Sequence, residues 1–247
     1  MNPDHFSAVA KQYVASRPTY PPALFSWLAT QCPVRELVWD VGAGNGQASI
    51  ALAAHFAKVW ATDLSEAQIS QAPAHERVEY RVSPADHSGL GDSTADAVTV
   101  AQALHWFDLD RFYAEVRRVL KPGGLIAAWT YGVLHVEGDA VEERVSHFYH
   151  QVVGPYWPAE RHHVETAYAE LPFPFEPVAS PPFAIRLALT LDELLGYCRS
   201  WSATGRYRSA TGSDPVAALA AELAPVWGEP DRRREVTWPI AMRAGFR

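Results

Sequence analysis

The sequence is poor in cysteine, and this limits the chemistry open to it. Only two cysteines, Cys32 and Cys198, occur in 247 residues, and neither lies in a C-x-x-C pair. A disulfide framework or a cysteine-rich zinc site needs more thiols at short spacing. We therefore expect two reduced thiols with no role in catalysis.

Long apolar runs and dense positive charge are also missing. No stretch approaches the roughly eighteen consecutive apolar residues of a membrane helix. The first residues, MNPDHFSAVAKQ, lack the basic start and apolar stretch of a signal peptide. A formal net charge of -7 disfavours binding of DNA or RNA. We expect a cytoplasmic protein with neither a membrane nor a nucleic acid as partner.

Residues 37–63, in contrast, have the pattern of a pocket for a nucleotide cofactor. A short apolar run, 37–41, predicts a buried parallel strand, and Gly42, Gly44 and Gly46 follow at alternate positions. Glycine permits a positive φ and a close approach of a ligand to the backbone. A helix then begins at Gln47, with its N-terminal amides directed at the turn. Asp63 ends the next strand, where a carboxylate can accept hydrogen bonds from ribose hydroxyls.

The details of the turn disfavour a dinucleotide. The G-x-G-x-x-G fingerprint requires its third glycine at position 47, which is Gln47. Asp40, two residues before the first glycine, would repel a pyrophosphate and attract an ammonium group. The turn therefore suits a cofactor with a cationic amino-acid moiety better than one with phosphates.

Asp40, the three glycines and Asp63 together resemble the cofactor motif of the class I S-adenosylmethionine-dependent methyltransferases. The resemblance implies S-adenosyl-L-methionine as cofactor, with Asp40 near its ammonium group and Asp63 at its ribose. It also implies that Gly42, Ala43, Gly44 and Leu64 border the cofactor.

Downstream segments match the same family in order. In VSPADH, residues 82–87, Ala85 and Asp86 resemble the residues at the adenine, although Asp86 also suits a helix cap. In AQALHWF, residues 101–107, the resemblance places Gln102 at the cofactor and His105 and Trp106 beside the transferred methyl group. RRVLKPGGLIAAW, residues 117–129, resembles the junction into the fifth strand of the family.

The N-terminal stretch YVASRPTYP, residues 13–21, resembles the cap of a subgroup that includes trans-aconitate methyltransferase. By that resemblance Tyr13 and Arg17 contact the cofactor, and Tyr20 lies at the substrate. A surface helix followed by an extended linker is the alternative for Arg17 and Tyr20.

His105 has two interpretations. An imidazole titrates near neutral pH and suits a general base, or it can be a hydrogen-bonding wall of the site. An alcohol or amine acceptor must lose a proton, whereas a carboxylate needs no base. No metal site is predicted, because Glu143, His147 and His150, on one helical face, are more typical of a solvated surface.

The expected fold is α/β: a Rossmann-like, seven-stranded, mostly parallel sheet with an antiparallel last strand, helices on both faces and a helical or loop lid. We expect one methyltransferase domain, 1–247, as a monomer or homodimer. Its expected parts are cap helices (1–31), a cofactor-binding core (36–131), a lid insertion (132–182), and C-terminal strands and helices (183–247).

The expected function is direct in-line methyl transfer to a small-molecule acceptor, and the subgroup resemblance implies O-methylation of a carboxylic acid. Two alternatives stay open from the sequence. One is an NAD(P)-dependent oxidoreductase, and the other is a non-catalytic partner protein that binds S-adenosylmethionine.

Overall fold

The computed structural model describes residues 18–229 and 231–247. These residues divide into two compact units. The larger unit comprises Tyr20–Gly132, His162–Ala184 and Pro239–Arg247. The smaller unit comprises Val133–Arg161 and Ile185–Trp238, with the described residues before Tyr20.

The larger unit is built on a mostly parallel sheet. Its strands are β1 (Leu37–Val41), β2 (Lys58–Asp63), β3 (Val78–Val82), β4 (Ala95–Ala101), β5 (Leu120–Tyr131), β7 (Glu176–Val178) and the C-terminal part of β9 (Arg234–Phe246). The order is β3-β2-β1-β4-β5-β9, and the first five strands are parallel. β9 runs antiparallel to β5, as predicted, and β7 pairs with its end.

Helices cover both faces of this sheet. Successive side chains of a strand point to opposite sides, so each strand packs against helices on both faces. They are α1 (Pro22–Gln31), α2 (Gln47–Leu52), α3 (Glu66–Ile69) and α4 (Leu109–Val119). Trp39 points to one face, where its ring lies 6.2 Å from Phe112 of α4. Asp40 points to the other, where it binds Ser49 of α2. β1 and β4 are buried on both faces, which explains their uninterrupted apolar sequence.

The smaller unit is mainly helical. Its helices are α5 (Asp139–His147), α7 (Leu191–Arg199), α8 (Ser202–Thr211) and α9 (Pro215–Trp227), with α6 (Arg161–Glu165) following the first stretch of the unit. Its strands are β6 (His135–Val136), most of β8 (Phe183–Leu189) and the first part of β9; both β6 and β8 pair with β9. Trp201 and Trp238 pack on the ring of Tyr197 in its core.

The predicted α/β fold is confirmed, with differences in detail. The described residues form nine strands rather than seven, because two short strands, β6 and β7, also pair with β9. β6 and β7 have only two and three residues, which is too few to show the alternating pattern of a strand. Pro177 in β7 also argues against a strand on sequence grounds. α2 is short and ends at Leu52, since Ala54 and His55 donate backbone hydrogen bonds only three residues back.

The stretch expected as a lid, 132–182, is divided between the two units at Arg161 and His162. Its first part contains α5 and a π-helix, Phe148–Val152. Its last part is held in the larger unit by α4, because the Tyr113 hydroxyl donates to the carbonyl of Pro172. No helix in the described part of the chain is long and apolar enough to cross a membrane.

Candidate active site

A cavity of about 310 Å³ opens in the larger unit beyond the carboxyl ends of β1, β2, β3 and β4. In open parallel sheets this edge is where ligands bind. The residues that line the cavity are Gly42, Asp63, Leu64, Ser83, Pro84, Ala85, Asp86, Ala103, Trp106, Phe107 and Asp108.

The glycine turn after β1 has a geometry that other residues adopt only with strain. Gly42, Gly44 and Gly46 have φ of +66°, +57° and +83°. Gly42 also lacks room for a side chain, because an added Cβ would lie 2.5 Å from the Cβ of Ala103. The turn is tied to β2 by a backbone hydrogen bond from Ala43 to Thr62, of 3.0 Å.

Asp63 is held in place by backbone amides. Its Oδ2 accepts from the N–H of Gly44 and its Oδ1 accepts from the N–H of Ser65, each at 2.8 Å. A carboxylate offers about four lone-pair positions, so each oxygen can accept a further hydrogen bond. Asp63 therefore borders the cavity as an oriented acceptor of two hydroxyl groups.

Asp40 lies beneath the turn and does not line the cavity. It is completely buried, and its oxygens accept from the hydroxyls of Ser49 (2.6 Å) and Thr99 (2.9 Å). Burial raises the pKa of Asp40 from its ordinary value near 3.8 to about 6, against the lowering effect of the two hydroxyl hydrogen bonds. The negative charge of Asp63 raises this pKa further. A nearby cation would therefore stabilise the ionised form of Asp40.

The remaining walls combine apolar surface with carboxylates. Leu64 and Trp106 expose 75% and 60% of their surface, which is high for side chains of this kind. Asp86 forms an ion pair with Arg111 at 3.8 Å. Asp108 caps the N-terminus of α4 and also pairs with Arg111, at 3.5 Å. The lining therefore contains three carboxylates, those of Asp63, Asp86 and Asp108, and Arg111 partly neutralises two of them.

The segment after β4 presents the residues predicted to lie beside the methyl group. Gln102 has a left-handed backbone, with φ of +60°, and its side-chain oxygen accepts from the hydroxyl of Thr130. His105 and Trp106 belong to a short 3-10 helix, Leu104–Trp106. The His105 Nδ1 lies 2.9 Å from the hydroxyl of Tyr168.

Tyr20 packs in a cluster of aromatic rings. Its ring meets that of Trp129 edge-on at 5.7 Å and lies 6.4 Å from that of Tyr131. Burial raises the pKa of Tyr20 well above its ordinary value near 10, with smaller contributions from Tyr131 and Asp40. Its hydroxyl is therefore neutral at physiological pH.

The structure thus brings together part of the predicted site. Of the predicted residues, the cavity contains Gly42, Asp63, Leu64, Ala85, Asp86 and Trp106. Ala43, Gly44, Asp40, Gln102, His105 and Tyr20 lie outside its lining, and Tyr13 and Arg17 lie outside the described residues. Sequence reasoning missed Ser83, Pro84, Ala103, Asp108 and Tyr168. Only Asp108 carries a local signal, as a helix cap before LDRF.

The cavity fits the adenosyl group that the sequence resemblance implies. Gly42 lines the cavity beside Ala103 and Phe107, and the lack of a side chain at Gly42 keeps the turn close to both. Asp63 offers oriented acceptors for ribose hydroxyls, and Leu64 and Ala85 offer apolar surface for a purine ring. No group of three or more His, Cys, Asp or Glu side chains within residues 18–229 and 231–247 could hold a metal ion.

Comparison with known proteins also indicates a methyltransferase. Residues 39–128 match the family model described as a methyltransferase domain. A Dictyostelium discoideum protein named as a methyltransferase is 32% identical over 97% of this chain and 93% of its own length. A Mycobacterium tuberculosis protein, named an uncharacterized methyltransferase, is 32% identical over 65% of this chain and 69% of its own length.

A solved structure agrees over nearly the whole chain. A protein from Anaeromyxobacter dehalogenans, described as a type II methyltransferase, is 49% identical and has a TM-score of 0.89, covering 93% of this chain and 97% of that one. These relatives favour methyl transfer over the oxidoreductase and non-catalytic alternatives. The chain is an enzyme with S-adenosylmethionine as cofactor, and it belongs to the class I S-adenosylmethionine-dependent methyltransferases.

Proposed function

We propose that this methyltransferase transfers a methyl group to a small-molecule acceptor, and that the acceptor is a carboxylic acid methylated on oxygen. The observation that carries the first part is the size of the cavity, about 310 Å³. The carboxylates of Asp63 and Asp86, which we assign to the cofactor, disfavour the phosphates of a nucleic acid.

The cofactor roles follow from the placement of the side chains. Asp63 binds the ribose hydroxyls through the lone pairs that its two amide hydrogen bonds leave available. Asp86 accepts from the adenine amino group, and Leu64 and Ala85 contact the purine faces. Asp40 acts from beneath the turn by its charge, which favours the ammonium group. Ala43, Gly44 and Gln102 stay predicted cofactor contacts.

Bound S-adenosylmethionine supplies a methyl group on a positively charged sulfur, which is a good leaving group. The protein then has to hold the acceptor in line, exclude water and accept any proton that is released. Correct positioning can contribute on the order of 7 to 11 kcal/mol to lowering the barrier. Trp106 and Phe107 cover the cavity with aromatic surface, which excludes water.

Two points support a carboxylic acid as the acceptor: the subgroup resemblance, and the fact that a carboxylate can be methylated without a base. A carboxylate is ionised and nucleophilic at neutral pH, so that no general base is needed. His105 then orients the acceptor rather than deprotonating it, and Tyr20, whose hydroxyl stays neutral, positions it. A role of Arg17 and the oligomeric state stay predictions.

A panel of small carboxylic acids, amines and phenols, with trans-aconitate among the acids, tests this proposal. Each compound is incubated with the enzyme and methyl-labelled S-adenosylmethionine, and the labelled product is extracted. We expect label in base-labile methyl esters of one class of acid. Methylation confined to amines or phenols would contradict the acid assignment while leaving small-molecule methyl transfer intact.

A further inference from the structure

The hydroxyl of Tyr168 lies 2.9 Å from Nδ1 of His105, although 63 positions separate the two residues in sequence. His105 belongs to the 3-10 helix, Leu104–Trp106, whose neighbours Ala103, Trp106 and Phe107 line the cavity. Tyr168 itself is completely buried and does not line the cavity. Within residues 18–229 and 231–247, the His105 contact connects Tyr168 to the segment that lines the cavity.

The backbone at Tyr168 is in a conformation that an aromatic residue rarely adopts. Ala167 and Tyr168 have φ of +56° and +59° in succession. A left-handed backbone is a genuine outlier for a bulky side chain, and such strain persists only where the surroundings enforce it. Here Arg243 enforces it, because its guanidinium donates to the carbonyl oxygens of Tyr168, at 2.9 Å, and of Leu171.

The imidazole is confined from two sides. The Tyr168 ring lies 5.7 Å from that of His105, and the Trp106 ring lies 4.8 Å away. A tyrosine hydroxyl can donate to Nδ1 or accept from it, so the contact holds the ring in one orientation whichever nitrogen carries the proton. Packing alone restricts the ring plane, whereas the hydroxyl also selects which nitrogen is engaged.

We infer that Tyr168 is a positioning residue, which engages Nδ1 of His105 and holds the imidazole in the one orientation that serves the methyl acceptor. This inference rests on the proposed function, in which His105 contacts the acceptor. Tyr168 does not itself contact the reacting atoms, and the left-handed turn at Ala167 and Tyr168 places its hydroxyl.

The test compares Tyr168→Phe with a matched control, Tyr113→Phe. Tyr113 is buried in the same core, and its hydroxyl donates to the carbonyl of Pro172 at 2.8 Å, without contacting His105. Both variants lose one buried hydroxyl and keep the ring. They are examined as full-length protein saturated with S-adenosylhomocysteine, by ¹⁵N NMR of the His105 ring nitrogens.

We expect the Nδ1 signal of His105 to be the same in the wild type and in Tyr113→Phe, and to be shifted and broadened in Tyr168→Phe. An unchanged Nδ1 signal in Tyr168→Phe, or an equal change in both variants, overturns the inference. If Tyr168→Phe does not fold, it is remade with Ala167→Gly, which relieves the left-handed strain and offsets the loss of stability. This measurement needs no acceptor.

Kinetics with the acid methylated fastest in the substrate panel give a second readout. We expect Tyr168→Phe to lower kcat about tenfold, because a misplaced orienting group can cost up to about 100-fold, with KM for S-adenosylmethionine unchanged. In a His105→Asn background Tyr168→Phe should have no further effect, because residues that act as a unit are not additive. A panel without any methylated acid would contradict the proposed acceptor, whereas the NMR result would still decide the role of Tyr168.

Discussion

Asp40 and Thr99 lie side by side on neighbouring strands, and the Thr99 hydroxyl donates to a carboxylate that is completely buried. The pairing satisfies one oxygen of Asp40 but leaves the charge in a medium of low polarity, which is why the pKa of Asp40 rises to about 6. This relationship couples stability and cofactor binding at one residue.

The first prediction concerns stability against pH. In the unfolded chain Asp40 ionises near pH 4, whereas the folded protein retains the proton up to about pH 6. The folded state binds more protons in this window, so the Asp40 contribution to the free energy of unfolding falls as pH rises from about 4 to about 6. At about 1.4 kcal/mol per pKa unit the loss is about 3 kcal/mol.

Asp40→Asn isolates this contribution. We expect the wild type to lose stability relative to the variant as pH rises through the same window. Urea denaturation at pH 4.5 and 7.5 without cofactor measures the unfolding free energy of both proteins. A difference independent of pH would mean that Asp40 ionises normally in the folded protein.

A second prediction separates the roles of Asp40 and Asp63 by two ligands. S-adenosylhomocysteine carries an ammonium group, and 5′-methylthioadenosine contains the same nucleoside without it. Asp63→Asn should weaken both by about 10-fold to 100-fold, as expected for a lost hydrogen bond to a charged group. Asp40→Asn should weaken only S-adenosylhomocysteine. Calorimetry at pH 7.5 measures both, and equal weakening in Asp40→Asn would assign Asp40 a purely structural role.

A third prediction compares two glycines with similar backbones. Gly42 and Gly123 have φ of +66° and +74°, but an added Cβ at Gly42 meets the Cβ of Ala103 at 2.5 Å, whereas at Gly123 nothing lies within 4 Å. Gly123→Ala should cost only the left-handed penalty, roughly 1 to 2 kcal/mol. Gly42→Ala should cost more and displace Ala103 into the cavity. Thermal unfolding and S-adenosylhomocysteine affinity measure the two effects, and equal losses in both variants would contradict this account.

How much of this the sequence predicts depends on how local the signal is. The strand, glycine turn, helix and acidic residue of 37–63 are contiguous, and the structure has each of them. The contact of His105 with Tyr168 joins distant parts of the chain through a strained turn at Ala167, and no local pattern signals it. The burial of Asp40 depends likewise on Ser49 and Thr99 from different elements.

A fourth prediction concerns a buried hydroxyl beneath the glycine turn. The Tyr80 side chain would clash with any Cβ at Gly46, and its hydroxyl has no hydrogen-bond partner in the described part of the chain. A buried donor without a partner costs about 1 to 3 kcal/mol. Tyr80→Phe should therefore leave the unfolding free energy unchanged or raise it by about 1 kcal/mol, and a loss of more than that in urea denaturation would show that a buried water binds the hydroxyl.

The last prediction contrasts two neighbouring arginines. Arg234 is 8% exposed, and its guanidinium donates to the carbonyl oxygens of Val226, Trp227 and Glu137. It thereby satisfies carbonyls at the C-terminus of α9, where a cation is also favoured by the helix dipole. Arg234→Ala leaves these acceptors unpaired and should lower the unfolding free energy by roughly 3 kcal/mol.

Arg233 is the matched control, since its contacts are exposed: it pairs with Glu193 at 3.0 Å and donates to the carbonyl of Ala188 at 2.6 Å. Arg233→Ala should cost about 0 to 1 kcal/mol, because exposed pairs are screened and lose side-chain entropy. Salt distinguishes the two further: 0.5 M NaCl should remove most of the Arg233 effect and little of the Arg234 effect, because buried contacts are screened less. Equal losses in the two variants would show that the buried carbonyl contacts of Arg234 add nothing beyond a surface charge.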